Sequence, residues 1–380
     1  MKIIIAPDSF KGCLRSTAVA AAVKRGLAEM LPDAEIRTMP LADGGEGTVA
    51  ALVSATGGSY LQVPVRGPLG DPVEAVYGRI DAETAVMEMA AAAGLELVES
   101  HRLNPGRTST YGVGQMIADA IRRGFRHLVI GIGGSATVDG GAGMAQALGF
   151  VLRDAAGKPI AEPASGGMLE KITAIEAGPD TALLRQVDIR VACDVTNPLT
   201  GPRGAAPVYG PQKGADPAMV QQLAAGLENF SRLAIAADLA DDNCHPGDGA
   251  AGGLGFALRT LCGAEIVSGA RLVIETAQLE KQLQDADWVI TGEGCTDDQT
   301  AAGKLCAVVA ATAAAYRVPT IVLSGAVKGS VAKLQHDFAA VMSIAAGPGS
   351  LAEAIAAAPE RLYAAGRNLG GILQQQQKSR

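Results

Sequence analysis

KIIIAPDSFKGCLRSTAVAAAVKRGLAEMLPDAEIRTMPLADGGEGT, residues 2–48, sets the architecture. Lys2–Pro7 is a short, β-branched apolar run and reads as a buried strand. Asp8–Arg15 is a loop. Ser16 or Thr17 can cap a helix that runs to about Leu31, where Pro32 ends it. Glu35–Met39 is a second strand, and Leu41–Thr48 is a loop that opens another helix to about Ala55. Strand, loop and helix, twice in succession, begin a doubly wound α/β sheet.

Beyond residue 60 the pattern changes. Tyr60–Val65, Val73–Ile80 and Ala85–Met89 alternate and are interrupted by Pro64, Pro68, Pro72 and several glycines, so they read as antiparallel strands. Tyr111–Arg123 is helix-like, His127–Ile132 a strand, and Gly133–Gly143 a loop opening a helix to Leu148. Ile189–Cys193 is a strand and Met219–Ala237 a helix. The α/β rhythm resumes with a strand at Trp288–Thr291, a loop at Gly292–Gly303 and a helix at Lys304–Ala315. It continues through strands at Thr320–Leu323 and Val341–Ala345, a helix starting at Val331–Gln335, and a closing helix at Leu351–Leu369. The glutamine run Gln374–Gln377 reads as a frayed tail. The expected fold is therefore α/β with two domains. One is a discontinuous Rossmann/flavodoxin-like parallel-sheet domain, residues 1–62 with 287–380. The other is a large inserted mixed α/β domain, residues 63–286.

The bulk composition narrows the function classes. Hydrophobic residues make up 48% of the 380, enough for a sizeable core, but aromatics are only 3%, so that core must be aliphatic and alanine-rich. A net charge of −7 with few stacking aromatics speaks against a nucleic-acid binder. The basic group Arg122, Arg123, Arg126 and His127 fits a helix C-terminus. Six scattered cysteines without a CxxC pair, and four dispersed histidines, argue against zinc and fit a cytoplasmic protein. No apolar run is long enough to span a bilayer, and the N-terminus is too short for a signal sequence.

The five-residue motif Asp-Gly-Gly-x-Gly occurs twice, at Asp43–Gly47 and Asp139–Gly143, each between a strand-like and a helix-like run. Free backbone N–H groups at such junctions can hold an anion, and glycines let it come close. The plainer alternative is an N-cap Asp and loop glycines. Several other loops carry the same theme. Asp8, Ser9 and Lys11 put an acid, a hydroxyl and a cation within four residues at a strand end. Asp43 and Glu46 stand among Gly44, Gly45 and Gly47. Gly133, Gly134, Ser135 and Thr137 make a cradle of N–H and O–H donors, without the Lys of a Walker A loop or a clean dinucleotide fingerprint. Asp194 and Asn197 follow a strand, and Arg203, Gln212 and Lys213 follow in a Pro/Gly-rich loop. Asp248, Glu293 and Asp297 are each acids among small residues, whose oxygens are expected to be accessible. No nucleophile elbow is present. Carboxylates of this kind suit Mg²⁺, which takes oxygen ligands and keeps waters and phosphates in its shell.

As a set, the segments APDSFKG (6–12), PLADGGEGT (40–48), GIGGSATVDGGAGMAQALG (131–149), CDVTNPLTGPRGAAPVYGPQKGA (193–215), GDGAAGGLGFAL (247–258) and TGEGCTDDQTAAGK (291–304) resemble the bacterial-type, or type I, glycerate kinases. Val138 stands where Asn is expected and Cys306 where Pro is expected. The resemblance implies a two-domain α/β enzyme that uses ATP and Mg²⁺ to phosphorylate D-glycerate, giving 2-phosphoglycerate, with 3-phosphoglycerate as the alternative product. On that implication Asp194 is the expected base, with Asp8 or Asp43 as alternatives, and Lys11 neutralises the transferred phosphoryl group. Glu293 and Asp297 hold the metal. Ser9, Asp43, Gly44, Gly45, Glu46, Gly133, Gly134, Ser135, Thr137, Asp139, Asn197 and Lys213 contact substrate or phosphate. The twin Asp-Gly-Gly-x-Gly motifs are expected to belong to different domains. A monomer or homodimer serving small-molecule substrates is expected. Two other classes are weighed: a non-catalytic sensor of a small acid or nucleotide, and a nicotinamide-dependent oxidoreductase, which lacks its fingerprint near the first strand.

Overall fold

A computed structural model describes residues 1–297, 304–328, 330 and 336–378. The chain is a mixed α/β protein with parallel sheets. It divides into two compact units. The first comprises Met1–Asp43, Ala50–Gly58 and Ala270–Arg380, and the second Gly44–Val49 and Ser59–Gly269.

In the first unit, the described strands form one parallel sheet in the order Ala340–Ser343, Thr320–Val327, Trp288–Thr296, Lys2–Ile5, Glu35–Thr38. Lys2–Ile5 is buried along its whole length, as a continuous β-branched run in a covered parallel sheet should be. Ile3 and Ile5 pack with Val19, Val23 and Leu27 of the helix Ser16–Met30 and with Leu362 and Leu369 of the helix Leu351–Lys378. These two helices touch backbone to backbone. A Cβ on Gly26 would lie 2.2 Å from the Tyr363 carbonyl, and one on Gly366 would lie 2.5 Å from that of Val23.

In the second unit, a six-stranded sheet runs Glu265–Val267, Asp188–Ala192, His127–Gly131, Thr84–Glu88, Pro72–Arg79, Ser59–Arg66. The first four strands are parallel and the last two are antiparallel additions at one edge. Its core is built from Ala, Val, Leu, Ile and Met, with Tyr77, Phe230 and Phe256 among the few buried rings.

Several expectations change. The boundaries at 62/63 and 286/287 are displaced: Ser59–Gln62 belong to the antiparallel edge of the second unit, whereas 270–286 pack in the first. An amphipathic helix does not announce in its sequence which core it joins. Gly44–Val49 also cluster with the second unit, so the two Asp-Gly-Gly-x-Gly motifs do not belong to separate units except for Asp43 itself. The helix at Ser16 has Arg15 at its N-cap and no side-chain cap. The strand at Trp288 runs on to Thr296, pairing with Thr320–Val327 as far as Thr296↔Val327, so Glu293 lies on a strand rather than in a loop. The glutamine run continues the last helix to Lys378 instead of fraying. The helix start expected at Val331–Gln335 lies outside the described residues, as does the loop portion 298–303. No described helix is long and apolar enough to cross a membrane.

Candidate functional site

In the first unit, the parallel strand Lys2–Ile5 delivers Asp8 just past its carboxyl end. The Asp8 N–H donates to the Gly292 carbonyl at 2.8 Å, tying the loop to the neighbouring strand, and the Ser9 N–H donates to Asp8 Oδ1 at 2.6 Å. Asp8 is buried, and burial pushes its carboxyl up to about 7; the nearby Asp43 and Glu293 carboxylates add to the rise, while the Ser9 N–H and Lys11 oppose it. Lys11 Nζ is ion-paired with Asp43, Lys11 being mostly exposed and Asp43 half-buried. Glu293 is buried and its Oε1 accepts from Thr296 Oγ1 at 3.0 Å. Behind these acids the Cys306 thiol is fully buried. Burial pushes it well above its ordinary range, and Glu293 and Asp8 add to that, so it remains a neutral S–H. Asp8, Lys11, Asp43 and Glu293 are thus brought together.

Asp297 pairs with Lys304 at 3.2 Å. Among the described residues no three His, Cys, Asp or Glu side chains form a ready-made metal site. Mg²⁺ needs only one or two protein carboxylates, with water and substrate phosphates completing its shell. The all-oxygen donor set of Asp43 and Glu293 fits that requirement.

In the second unit, the strand His127–Gly131 ends in an exposed Gly133–Gly134 tip followed by buried Ser135 and Thr137. The tip is anchored on its inner side: Leu95 N–H donates to the Gly134 carbonyl, and Ala136 N–H to that of Ala93, both at 2.9 Å. Gly44 and Gly45 pack against this loop. A Cβ on Gly131 would lie 2.6 Å from the Gly44 carbonyl, and one on Gly133 3.1 Å from Gly45 Cα. Glu46 is exposed. Lys213 is only 2% exposed, and its Nζ donates to Ser135 Oγ at 2.5 Å and to the Thr137 carbonyl at 2.7 Å. Burial pulls the Lys213 ammonium down to about 7, against the opposing pull of Asp139. The sequence marks Lys213 as a contact to substrate or phosphate; in the structure its ammonium is buried against Ser135 and Thr137.

Other acids have structural duties. Asp139 is wholly buried, and it accepts from Thr110 N–H and Oγ1, each at 2.8 Å, and from Gly141 N–H at 3.1 Å and Gly143 N–H at 3.3 Å. The N–H groups expected to hold a ligand anion are taken by the loop's own carboxylate. Asp248, expected to be accessible, is also wholly buried and is gripped by Arg259 through Nε at 2.8 Å and a second guanidinium nitrogen at 2.9 Å. Asn197 spends its side chain on the Arg203 carbonyl (2.8 Å) and the Tyr209 hydroxyl (2.7 Å). Asp194 is exposed and accepts from the Gly269 N–H at 2.9 Å. Thr110 and Arg259 were not anticipated; the only sequence trace of Thr110 was the Thr108-Ser109-Thr110 run before a helix.

Comparison with known proteins identifies the family of the chain. The family model described as "Glycerate kinase family" matches residues 3–374. The chain is 45% identical to the glycerate kinase of Bacillus subtilis (strain 168), over 98% of each chain. It is 44% identical to the glycerate 2-kinase of Escherichia coli (strain K12), again over 98% of each. Its fold matches the crystal structure of a candidate glycerate kinase 2 from Salmonella typhimurium LT2 with a TM-score of 0.89 at 46% identity, covering 100% of this chain and 99% of that one.

Proposed function

The chain belongs to the glycerate kinase family, and on that premise we propose that it moves the γ-phosphoryl group of ATP to the 2-hydroxyl of D-glycerate, with the 3-hydroxyl as the alternative acceptor. It is a kinase in either case. The 2-position is favoured because the Escherichia coli relative is named a glycerate 2-kinase.

One observation carries the assignment of roles: Asp8, Asp43 and Glu293 converge beside Lys11. Phosphoryl transfer asks for positioning and charge neutralisation more than for covalent help. Asp8, with its carboxyl near 7, is suited to accept the glycerate hydroxyl proton, because an effective base titrates near the working pH. This moves the role from exposed Asp194 to buried Asp8. Lys11, held by Asp43, offers positive charge to the transferred group. Asp43 and Glu293 would hold Mg²⁺, whose chemistry there is to neutralise charge on the phosphate oxygens. Gly133, Gly134 and Ser135 would bind an anionic group of a substrate. We further propose that the two compact units are domains, the first discontinuous, and that six unpaired cysteines suit a reducing, cytoplasmic setting.

The test is ADP release on adding D-glycerate to enzyme, Mg²⁺ and ATP, followed by ³¹P NMR of the product. A 2-phosphoglycerate signal is expected. ADP release without a phosphoglycerate signal would refute the acceptor, and a 3-phosphoglycerate signal would reverse the regiochemistry.

A further inference from the structure

Lys213 closes a short 3₁₀ turn, Pro211–Lys213, whose N–H from Lys213 reaches the Gly210 carbonyl at 3.0 Å. The next residue, Gly214, has φ +95°, and a Cβ there would sit 2.4 Å from the Leu103 carbonyl. The turn therefore fixes where the lysine stem enters the interior. Its Nζ meets two acceptors from one loop, Ser135 Oγ and the Thr137 carbonyl.

A protonated lysine only donates. Ser135 Oγ is thereby committed as acceptor toward Lys213, and its own proton is turned elsewhere. Among the described residues no acceptor takes that proton. Ser135 directly follows the exposed Gly133–Gly134 tip, so the spare donor lies beside the backbone assigned above to an anionic ligand.

We propose that Lys213 is a positioning residue. It holds Ser135 so that the hydroxyl donates to an anionic group of the substrate bound at Gly133–Gly134, and it does not itself touch that substrate. The inference rests on the assignment of this loop to anion binding made above.

The test is a double-mutant cycle on the full chain, with D-glycerate affinity read by calorimetry. Ser135→Ala and Lys213→Met should each weaken binding about tenfold or more, as loss of one hydrogen bond to a charged group does. The double variant should be no weaker than the weaker single variant, and Ser135→Thr, which keeps the hydroxyl, should restore binding. A merely structural lysine would give additive losses, so additivity overturns the proposal, as does unchanged affinity in either single variant. If Lys213→Met does not fold, Ser135→Ala against Ser135→Thr decides: equal affinities overturn it. Wild-type binding without phosphorylation would sink the proposed reaction and leave this inference standing, whereas phosphorylation with an additive cycle would do the reverse. Absence of D-glycerate binding to the wild type overturns the inference itself.

Discussion

Asp8→Asn should stabilise the protein while disabling it. In the folded chain burial, reinforced by Asp43 and Glu293, raises the Asp8 carboxyl from 3.8 to about 7. A carboxyl that ionises about three pH units late costs the fold about 4 kcal/mol once ionised, at about 1.36 kcal/mol per unit. The sign follows from proton linkage. Below about pH 4 both states carry the proton and there is no penalty; between about pH 4 and 7 only the folded state keeps it, so stability falls as pH rises; above about pH 7 the penalty is complete. Asparagine is never charged and still accepts from the Ser9 N–H. The advantage of Asp8→Asn should therefore be small near pH 4, grow by about 1.4 kcal/mol per pH unit, and level off at about 4 kcal/mol by pH 8. Urea unfolding in metal-free buffer across that range, followed by fluorescence of Trp288, measures it. Trp288 is the only tryptophan and opens the strand that carries Glu293. A pH-independent difference, or a variant less stable than wild type at pH 8, would refute the burial-and-repulsion account. The same variant should lose about 100-fold or more in kcat as a missing general base; a stabilised variant with normal kcat would leave the electrostatics intact and remove Asp8 from the chemistry.

Asp194→Asn supplies the complementary test: with Asp8 as base it should keep kcat within about tenfold in steady-state assays, whereas loss of the general base carries a penalty of about 10²–10⁴; a larger fall would return the role to Asp194. Thr137→Val should be neutral or slightly stabilising in thermal unfolding, since Thr137 Oγ1 is buried without a hydrogen-bond partner and an unpaired buried hydroxyl costs about 1–3 kcal/mol. Arg259→Met should cost about 3–5 kcal/mol in urea unfolding, because it strands the fully buried Asp248 carboxylate; a neutral result would mean Asp248 takes up a proton cheaply. Gly252→Ala should fail to give stable soluble protein: Gly252 has φ +71° and its Cβ would lie 1.9 Å from the Thr137 carbonyl.

The sequence made the order and type of the main elements legible because their signals are local. β-branched runs became parallel strands at Lys2–Ile5 and His127–Gly131, and the prolines and alternation of residues 60–80 became the antiparallel edge, whereas Thr84–Glu88, expected as antiparallel, also pairs in parallel with His127–Gly131. What it could not supply depends on distant partners. Trp288–Thr296 outruns its apolar stretch because the adjacent strand pairs with Glu293 and Cys295 regardless of side chain. Lys213 reads from the sequence only as a cation in a Pro/Gly-rich loop; its burial is fixed by Ser135 and Thr137, more than seventy positions away in the chain.

The two Asp-Gly-Gly-x-Gly segments show most directly why a motif constrains chemistry without assigning it. Both place a carboxylate ahead of glycine N–H groups at a helix start. Around Asp139 those N–H groups, together with Thr110 from a remote segment, close on the carboxylate itself and leave it no exposed surface. Asp43 instead pairs with exposed Lys11 and keeps a partly open face beside Asp8 and Glu293. The difference lies in the partner, a neutral hydroxyl and amides in one case and a mobile cation in the other. An enclosed carboxylate with four donors has no capacity left for a ligand, so Asp139 serves to shape the Gly133–Thr137 loop. A half-open carboxylate beside two other acids retains its affinity for cations, which supports the role proposed for Asp43 in phosphoryl transfer.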